Sequence, residues 1–260
     1  MRGLDTSRAA LFFAAFLRKR FSHRSKRDGM KPYLSRAIAT QAAQYLIAAI
    51  APGCHRVEVV GSLRRGKQYV SDVELLIIPR IEREPREQTQ QTLFGGVVAD
   101  EAHEINRFEL RLSRLLDQFP DRLALNWDKP ANGPRYKRLR FYADATEGQA
   151  VERLSIPVDL FTVLPPAQWG ALYAIRTGDW EFSKLLVTHR SQGGLCPDDR
   201  YFLDGALRDR RTSEVIPTET EEDLFSALGL PYVHPTRRNH ETARQLVRRP
   251  EWSGAPDGAA

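Results

Sequence analysis

The sequence VEVVGSLRRGKQYVSDVELLIIP, at residues 57–79, contains two apolar runs on either side of a glycine turn and a group of basic side chains. The β-branched residues 57–60 predict a short strand that ends at the Gly61-Ser62 turn. Residues 72–78 predict a second strand, which Pro79 ends. The stretch therefore predicts a strand, a turn rich in cations and a second strand in close succession.

Two acidic side chains stand at the start of the second strand. Because residues two apart on a strand face the same way, Asp72 and Glu74 should project together. Paired carboxylates in a buried setting are stable when a divalent cation lies between them, and Mg²⁺ prefers such oxygen ligands. Gly61 lets the backbone approach a ligand closely, and the cations at residues 64–67 lie beside it. This pattern is typical of chemistry on a nucleoside triphosphate.

A third carboxylate is expected on a neighbouring strand. Asp159 lies within the apolar run IPVDLF, residues 156–161, where a charge needs a partner. Three acids on adjacent strands can hold two metal ions. One ion would lower the pKa of an attacking hydroxyl, and the other would stabilise the departing pyrophosphate.

Composition limits the classes of function. The chain has 260 residues, of which 42% are hydrophobic, and a formal net charge of +6, which is compatible with a phosphate-rich partner. Cys54 and Cys196 have no zinc-binding pattern around them and indicate a reducing compartment. The apolar run at residues 9–17 is too short to cross a bilayer and lacks a cleavage site. We therefore expect a cytoplasmic or nucleoid-associated protein that is neither secreted nor membrane-bound.

Hydrophobic periodicity and turn residues predict the remaining elements. We expect helices at residues 33–50, 106–119, 169–173, 180–190 and 220–228. We expect further strands at residues 135–142, 156–163, 201–207 and 214–216. We expect a connection at residues 82–104, a polar turn at 143–154 and a loose chain from 237 onward.

The motifs resemble those of the polymerase-β (family X) enzymes. GSLRRG at residues 61–66, followed by DVE at 72–74, is similar to that family's Gly-Ser-x-Arg-Arg-Gly and Asp-x-Asp. VDLF around Asp159 resembles the strand with the third metal ligand. Residues 169–190 resemble the segment that meets the incoming nucleotide, and residues 201–238 resemble the rest of the thumb. The first motif alone is typical of the wider nucleotidyltransferase superfamily. Only the second half of the chain limits the resemblance to the polymerases.

The resemblance implies an α+β fold, with a nucleotidyltransferase palm of mixed sheet and flanking helices and a small C-terminal thumb. The implied organisation is a basic, weakly ordered extension at residues 1–29, a palm at 30–166, a thumb at 167–238 and a basic, loose tail at 239–260. Met30 opens the well-patterned part of the chain. The region before it is too short for a lyase domain, so we expect none.

The implied activity is that of a DNA polymerase, which adds (deoxy)nucleotides to a primer 3′-OH and releases pyrophosphate. The resemblance implies two Mg²⁺ ions, with Mn²⁺ as a substitute, a nucleoside triphosphate, nucleic acid (DNA more than RNA) and a monomer. The implied site residues are Asp72, Glu74 and Asp159 for the metals and catalysis, Gly61, Ser62 and Arg65 for the triphosphate, and Thr177 and Gly178 for the sugar.

Two departures from the family pattern bear on function. Glu74 stands where the polymerases usually have Asp, although other members of the superfamily accept Glu. Ile175 and Arg176 stand where the polymerases usually have Tyr-Phe, so discrimination between sugars is in question. A transferase of the same fold that acts on RNA, protein or a small molecule is therefore an alternative. A catalytically silent nucleic-acid-binding protein is a second alternative, which the intact acids disfavour.

Several basic side chains are candidates for binding a nucleic-acid backbone. They are Arg135, Lys137, Arg138, Arg140, Lys184 and Arg190. For the group at residues 135–140, an ordinary exposed strand face is an equally good interpretation. The aromatic side chains of the second half, Trp169, Tyr173, Trp180 and Phe182, are expected in the core rather than as platforms for bases, and Tyr201, Phe202 and Phe225 are assigned to the core as well.

Overall fold

The computed structural model of the protein describes residues 33–84, 103–126, 131–147 and 150–248. It has the α+β architecture that the sequence predicts, with a central mixed sheet and helices. The predicted extension at residues 1–29 lies outside the described residues, and so does the end of the predicted tail.

The first part of the chain supplies the central sheet and the two longest helices of the described residues. Its elements are β1 (Leu34–Ser35), α1 (Arg36–Ile50), β2 (Cys54–Val59), α2 (Gly61–Arg64), β3 (Tyr69–Val70), β4 (Val73–Pro79), β5 (Ile81–Glu84), β6 (His103–Asn106), α3 (Arg107–Gln118), β7 (Leu123–Leu125), β8 (Tyr136–Glu147) and β9 (Ala150–Thr162).

The central sheet has the strand order β2-β4-β9-β8-β7. Strands β4 and β9 are parallel, and the other neighbours are antiparallel. Two small antiparallel pairs, β1 with β3 and β5 with β6, lie outside it. The parallel pair brings the two acidic stretches of the sequence side by side.

The two faces of the sheet have different surroundings. On β4, Leu75 and Ile77 are fully buried in a core that α1 and α3 also line. Glu74 and Leu76 face the opposite way, as alternate residues of a strand do. Leu76 joins a smaller apolar cluster with Trp169. The long helices thus cover one face, and Glu74 lies on the other.

The second part of the chain has its own core. Its elements are α4 (Trp169–Thr177), α5 (Trp180–Val187), β10 (Arg200–Leu203), β11 (Ala206–Asp209), β12 (Val215–Ile216), α6 (Glu221–Ala227) and α7 (His240–Val247). The three strands form an antiparallel sheet. Phe182 and Phe225 are fully buried in this second core, where Phe202 also packs.

Side-chain caps fix where several helices begin. Ser35 accepts a hydrogen bond from the backbone of Ile38, so that α1 starts after it rather than at the predicted residue 33. Asn106 caps α3 in the same way. Thr220 and Asp223 form a reciprocal capping box at α6. The helices predicted at residues 106–119 and 220–228 agree closely with α3 and α6.

The prediction of a polar turn at residues 143–154 is wrong. Strands β8 and β9 pair continuously as far as Glu147 and Ala150, so the segment continues the hairpin. Pairing with a neighbouring strand outweighs the weak strand preference of its polar residues, since strand propensity depends on context.

Three other predictions need correction. The connection predicted at residues 82–104 begins and ends in the paired strands β5 and β6. The single strand predicted at 201–207 is two strands, because Asp204 and Gly205 form a turn with φ of 51° and 78°. The loose chain predicted from 237 contains α7, whose Ala243 is fully buried in the second core.

Candidate active site

Glu74 and Asp159 are direct neighbours across the parallel strands β4 and β9. Asp159 is only 6% exposed. Burial, followed by the nearby charges of Asp72 and Asp159, raises the pKa of Glu74 to about 7, while Arg65 and Arg176 oppose the shift. Asp72 and Asp159 therefore both act electrostatically on Glu74, as expected for a shared site.

Asp159 is held by two side chains of β8. Arg138, its partner across the antiparallel register, donates from Nε to Oδ1 (2.7 Å) and from Nη2 to Oδ2 (2.8 Å). The Tyr136 hydroxyl donates to Oδ1 (3.0 Å). Both carboxylate oxygens are thus occupied. In the described ranges, no three His, Cys, Asp or Glu side chains are arranged to hold a metal ion.

The turn after β2 lies directly against Glu74. Gly61 has a φ of +66°, and a β-carbon built on it would lie 1.5 Å from Glu74 Oε2. Only glycine satisfies both the left-handed backbone and the close approach. The neighbouring Ser62 hydroxyl is buried and makes no hydrogen bond within the described part of the chain. A buried hydroxyl of this kind is suited to a polar ligand.

Arg65 contacts the turn that follows α4. Its Nη1 donates to the carbonyl oxygens of Thr177 (2.7 Å) and Gly178 (3.0 Å). Burial lowers the pKa of Arg65, while Glu74 and other nearby acids oppose the shift. The arrangement brings the predicted phosphate-binding and sugar-binding segments together, although the guanidinium here binds carbonyls.

Arg64 connects the glycine turn to the second part of the chain. It forms two hydrogen bonds of 2.7 Å with the Glu221 carboxylate and one of 2.7 Å with the Thr177 hydroxyl. Its guanidinium also stacks 3.6 Å from the Tyr173 ring centroid. The fully buried Arg238 pairs with Glu221 from the other side. The local sequence gives no sign of this triad, because an acid such as Glu221 is common in the first turn of a helix for local reasons alone.

Arg176 lies close to the acids. Its guanidinium stacks over the Phe161 ring, 3.9 Å from the centroid. Burial lowers its pKa, and Glu74, Tyr136 and Asp159 oppose that effect. The departure from the family pattern at this position therefore places a cation near the carboxylates.

The candidate nucleic-acid contacts divide into two groups. Lys137 is buried, donates hydrogen bonds to Asn132 and Gly133, and forms an ion pair with Glu109. The prediction that it contacts a nucleic-acid backbone is therefore wrong. Arg138 is engaged with Asp159, as described above. Arg190 Nη2 donates to the carbonyl oxygen of Leu228 (2.7 Å).

Arg135, Arg140 and Lys184 are the more accessible candidates. Arg135 is exposed and reaches the carbonyl oxygen of Asp204 (3.1 Å). Arg140 is half-buried and donates to Ser155 Oγ (3.1 Å). Lys184 is exposed and lies 5.8 Å from the Trp180 ring centroid.

Two of the aromatic side chains differ in their exposure. Trp169 is buried as predicted, at 6% exposure, whereas Trp180 is 73% exposed, so its assignment to the core is wrong. Tyr201, also assigned to the core, is only partly buried. Trp180 is the first residue of α5, two positions after Gly178.

Neither cysteine is part of a metal cluster in the described residues, and both Cys54 and Cys196 are buried free thiols. Burial raises the pKa of each to about 11, which disfavours the reactive thiolate. Among the helices of the described residues, none has the length and apolar content needed to cross a membrane.

Comparison with known proteins supports the resemblance. The sequence model of the DNA polymerase beta thumb matches residues 173–239. DNA polymerase lambda of Rattus norvegicus is 26% identical over 187 residues, which are 69% of this chain and 28% of that relative. The chain thus spans little more than a quarter of the relative's length. Together the two matches confirm the predicted similarity to polymerase-β-like enzymes of family X.

Proposed function

We propose that this polymerase-β-like chain is a divalent-metal-dependent nucleotidyltransferase that adds (deoxy)nucleotides to a primer 3′-OH and releases pyrophosphate. The observation that carries the proposal is the parallel pairing of Glu74 with Asp159 beside the Gly61 turn. The similarity to a polymerase thumb and to a family X polymerase supports the same reaction class. A cytoplasmic or nucleoid-associated monomer remains our expectation.

Asp72, Glu74 and Asp159 would hold the metal. Their chemistry fits Mg²⁺ or Mn²⁺, because all three are hard oxygen donors. Burial and the charges of Asp72 and Asp159 raise the pKa of Glu74 to about 7, and a divalent ion beside it would favour its charged form. Bound metal would lower the pKa of the attacking hydroxyl and stabilise the leaving pyrophosphate.

The glycine turn would bind the triphosphate. The buried Ser62 hydroxyl supports this role, because it makes no hydrogen bond among the described residues. Arg65 would contribute positive charge from the same turn. Its bonds to the carbonyls of Thr177 and Gly178 would hold those residues against the sugar.

Arg135, Arg140 and Lys184 would contact the nucleic-acid backbone, with DNA favoured over RNA. Their accessibility supports this assignment, whereas the buried Lys137 is withdrawn from it. Contacts of this type are electrostatic and independent of sequence.

Extension of a gapped DNA duplex in the presence of Mg²⁺ and each labelled nucleotide tests the proposal. Asp72→Asn and Asp159→Asn should each reduce turnover at least about a thousandfold, ~4 kcal/mol in transition-state terms, while nucleotide affinity stays within a few-fold. Asp144→Asn is the matched control, because Asp144 lies on β8 and pairs with Arg122 instead of the site residues. Substantial turnover by either site variant would show that the metal site is misassigned.

A transferase with another acceptor is the second candidate function. It is favoured by Arg176, which stands near the acids in place of the aromatic pair. Labelling of RNA and protein in parallel with the gapped duplex separates the two candidates. Efficient labelling of RNA or protein without DNA extension would favour the second.

A further inference from the structure

The Arg138–Asp159 pair has a geometry that bears on metal binding. Arg138 binds both oxygens of Asp159, at 2.7 and 2.8 Å. A bidentate arginine pair of this kind occupies one lone-pair site on each oxygen, which leaves fewer sites for a cation. With Arg138 in this position, no three His, Cys, Asp or Glu side chains of the described residues are arranged to hold a metal ion. A metal ion and Arg138 would therefore compete for the same carboxylate.

The pair is built into the sheet rather than formed by a mobile side chain alone. Arg138 on β8 and Asp159 on β9 are directly opposed across the antiparallel register, so their side chains share one face. Glu74 is opposed to Asp159 from the other side of β9. The sheet thus holds Arg138 next to the acids before any ligand binds.

We propose that Arg138 is an internal counter-ion that holds Asp159 out of metal coordination until a divalent ion displaces it. The inference rests on the metal site of the proposed function. The Arg138 side chain is 28% exposed, so it can swing toward solvent without a large change in packing. Tyr136, which donates to the same Oδ1, keeps Asp159 in place during the exchange.

The energetics of the pair permit such an exchange. Water screens this pair only from the arginine side, because the Arg138 side chain is 28% exposed and that of Asp159 is 8% exposed. A divalent ion shared by several carboxylates offers a stronger interaction than one guanidinium does. Arg138 would therefore lower the affinity for free metal without abolishing binding.

Titration of the whole chain with Mn²⁺, followed by the electron paramagnetic resonance signal of the free ion, tests the inference without any turnover. The titration is carried out without nucleotide or nucleic acid. Arg138→Gln should bind Mn²⁺ about three- to tenfold more tightly than the unmodified chain. The substitution removes the ion pair that competes with the metal for Asp159, and we expect that competition to weaken metal binding by roughly the same factor. Arg138→Lys, which lacks the two-pronged geometry, should fall between them.

Arg140→Gln is the matched control. Arg140 lies two residues along the same strand and donates to Ser155 Oγ instead of Asp159. Its loss removes one positive charge from the same face and should change Mn²⁺ affinity less than twofold. Circular dichroism spectra and melting curves check that each variant is folded. If Arg138→Gln does not fold, Arg138→Lys carries the comparison.

The outcomes separate this inference from the proposed function. Weaker Mn²⁺ binding by Asp159→Asn together with unchanged or weaker binding by Arg138→Gln would overturn the counter-ion role and leave the metal site intact. Mn²⁺ binding that is indifferent to Asp159→Asn would overturn both. Tighter binding by Arg138→Gln, with the control unchanged, supports both.

Discussion

The α-carbon of Gly61 and the carboxylate of Glu74 lie in such close contact that a single added methyl group would overlap the acid. A β-carbon at Gly61 would be 1.5 Å from Glu74 Oε2, and the backbone there has a φ of +66°. The contact joins the turn after β2 to the acidic end of β4. The position of the Glu74 carboxylate is therefore set partly by the absence of a side chain at Gly61.

Gly61→Ala should impair both stability and activity. The substitution combines a left-handed backbone, which costs about 1–2 kcal/mol for a residue with a β-carbon, with displacement of the Glu74 carboxylate. Gly193→Ala is the control, because Gly193 has a φ of +80° and nothing within 4 Å of an added β-carbon. Urea unfolding and primer extension measure the two effects. Equal behaviour of the two variants would show that the contact with Glu74 has no importance.

Glu221→Gln should destabilise the chain strongly. Glu221 is 5% exposed and pairs with the partly buried Arg64 and the fully buried Arg238, so its neutralisation leaves both cations poorly compensated. Loss of one partner from a buried pair costs on the order of 3–5 kcal/mol. Glu222→Gln is the control, because Glu222 is its exposed neighbour. A loss of unfolding free energy below about 1 kcal/mol, measured in urea, would contradict the role assigned to the triad.

The metal-free protein should lose stability as the pH rises toward neutrality. Burial, with Asp72 and Asp159, raises the pKa of Glu74 from 4.5 to about 7 in the folded chain. A raised pKa means that the folded state holds the proton more tightly, so protonation of Glu74 stabilises the fold. This stabilisation is fully present below pH 4.5 and is lost as the pH rises through 7.

The loss should be on the order of 3 kcal/mol, because each pKa unit corresponds to about 1.4 kcal/mol. Melting curves in EDTA at pH 5 and pH 7.5 measure it for the unmodified chain and for Glu74→Gln. The variant should show a smaller decline between the two pH values. Parallel declines would mean that Glu74 does not titrate in this range.

Discrimination between ribo- and deoxynucleotides should be weak. Ile175 and Arg176 replace the aromatic pair of the family pattern, and the Arg176 guanidinium lies over Phe161 near the acids. A hydrogen-bond donor there tolerates a 2′-OH better than an aromatic ring does. The ratio of kcat/KM for dATP and ATP should stay well below a thousandfold, about 4 kcal/mol, and should rise in Arg176→Phe. A ratio at or above that value in the unmodified chain would refute the prediction.

Local sequence was sufficient to identify the motif residues, because strand alternation and a glycine turn are short-range signals. The strand positions of Glu74 and of Asp159 follow from the alternation within residues 72–78 and 156–161. The predicted α+β architecture follows from the same elements. The predicted strands were shorter than β8 and β9, because the polar residues of the hairpin are held by pairing between the two strands.

The long-range ion pairs were beyond local reasoning. Arg64 and Glu221 are 157 residues apart in sequence, and neither residue carries a local sign of its partner. The pairing of Arg138 with Asp159 likewise depends on the register of two strands, which composition does not encode. Lys137 and Arg138 are adjacent in a basic run, yet alternate strand faces bury one and turn the other toward the acids.

The contrast between Trp180 and Trp169 gives the protein a built-in optical reporter. Trp180 is 73% exposed at the start of α5, whereas Trp169 is 6% exposed at the start of α4. An indole in water emits at longer wavelength and is open to collisional quenchers, and a buried one is shielded from both. Of these two tryptophans, acrylamide should therefore quench mainly Trp180. A ligand that binds beside Gly178 would change this quenching, so binding could be followed without an added label.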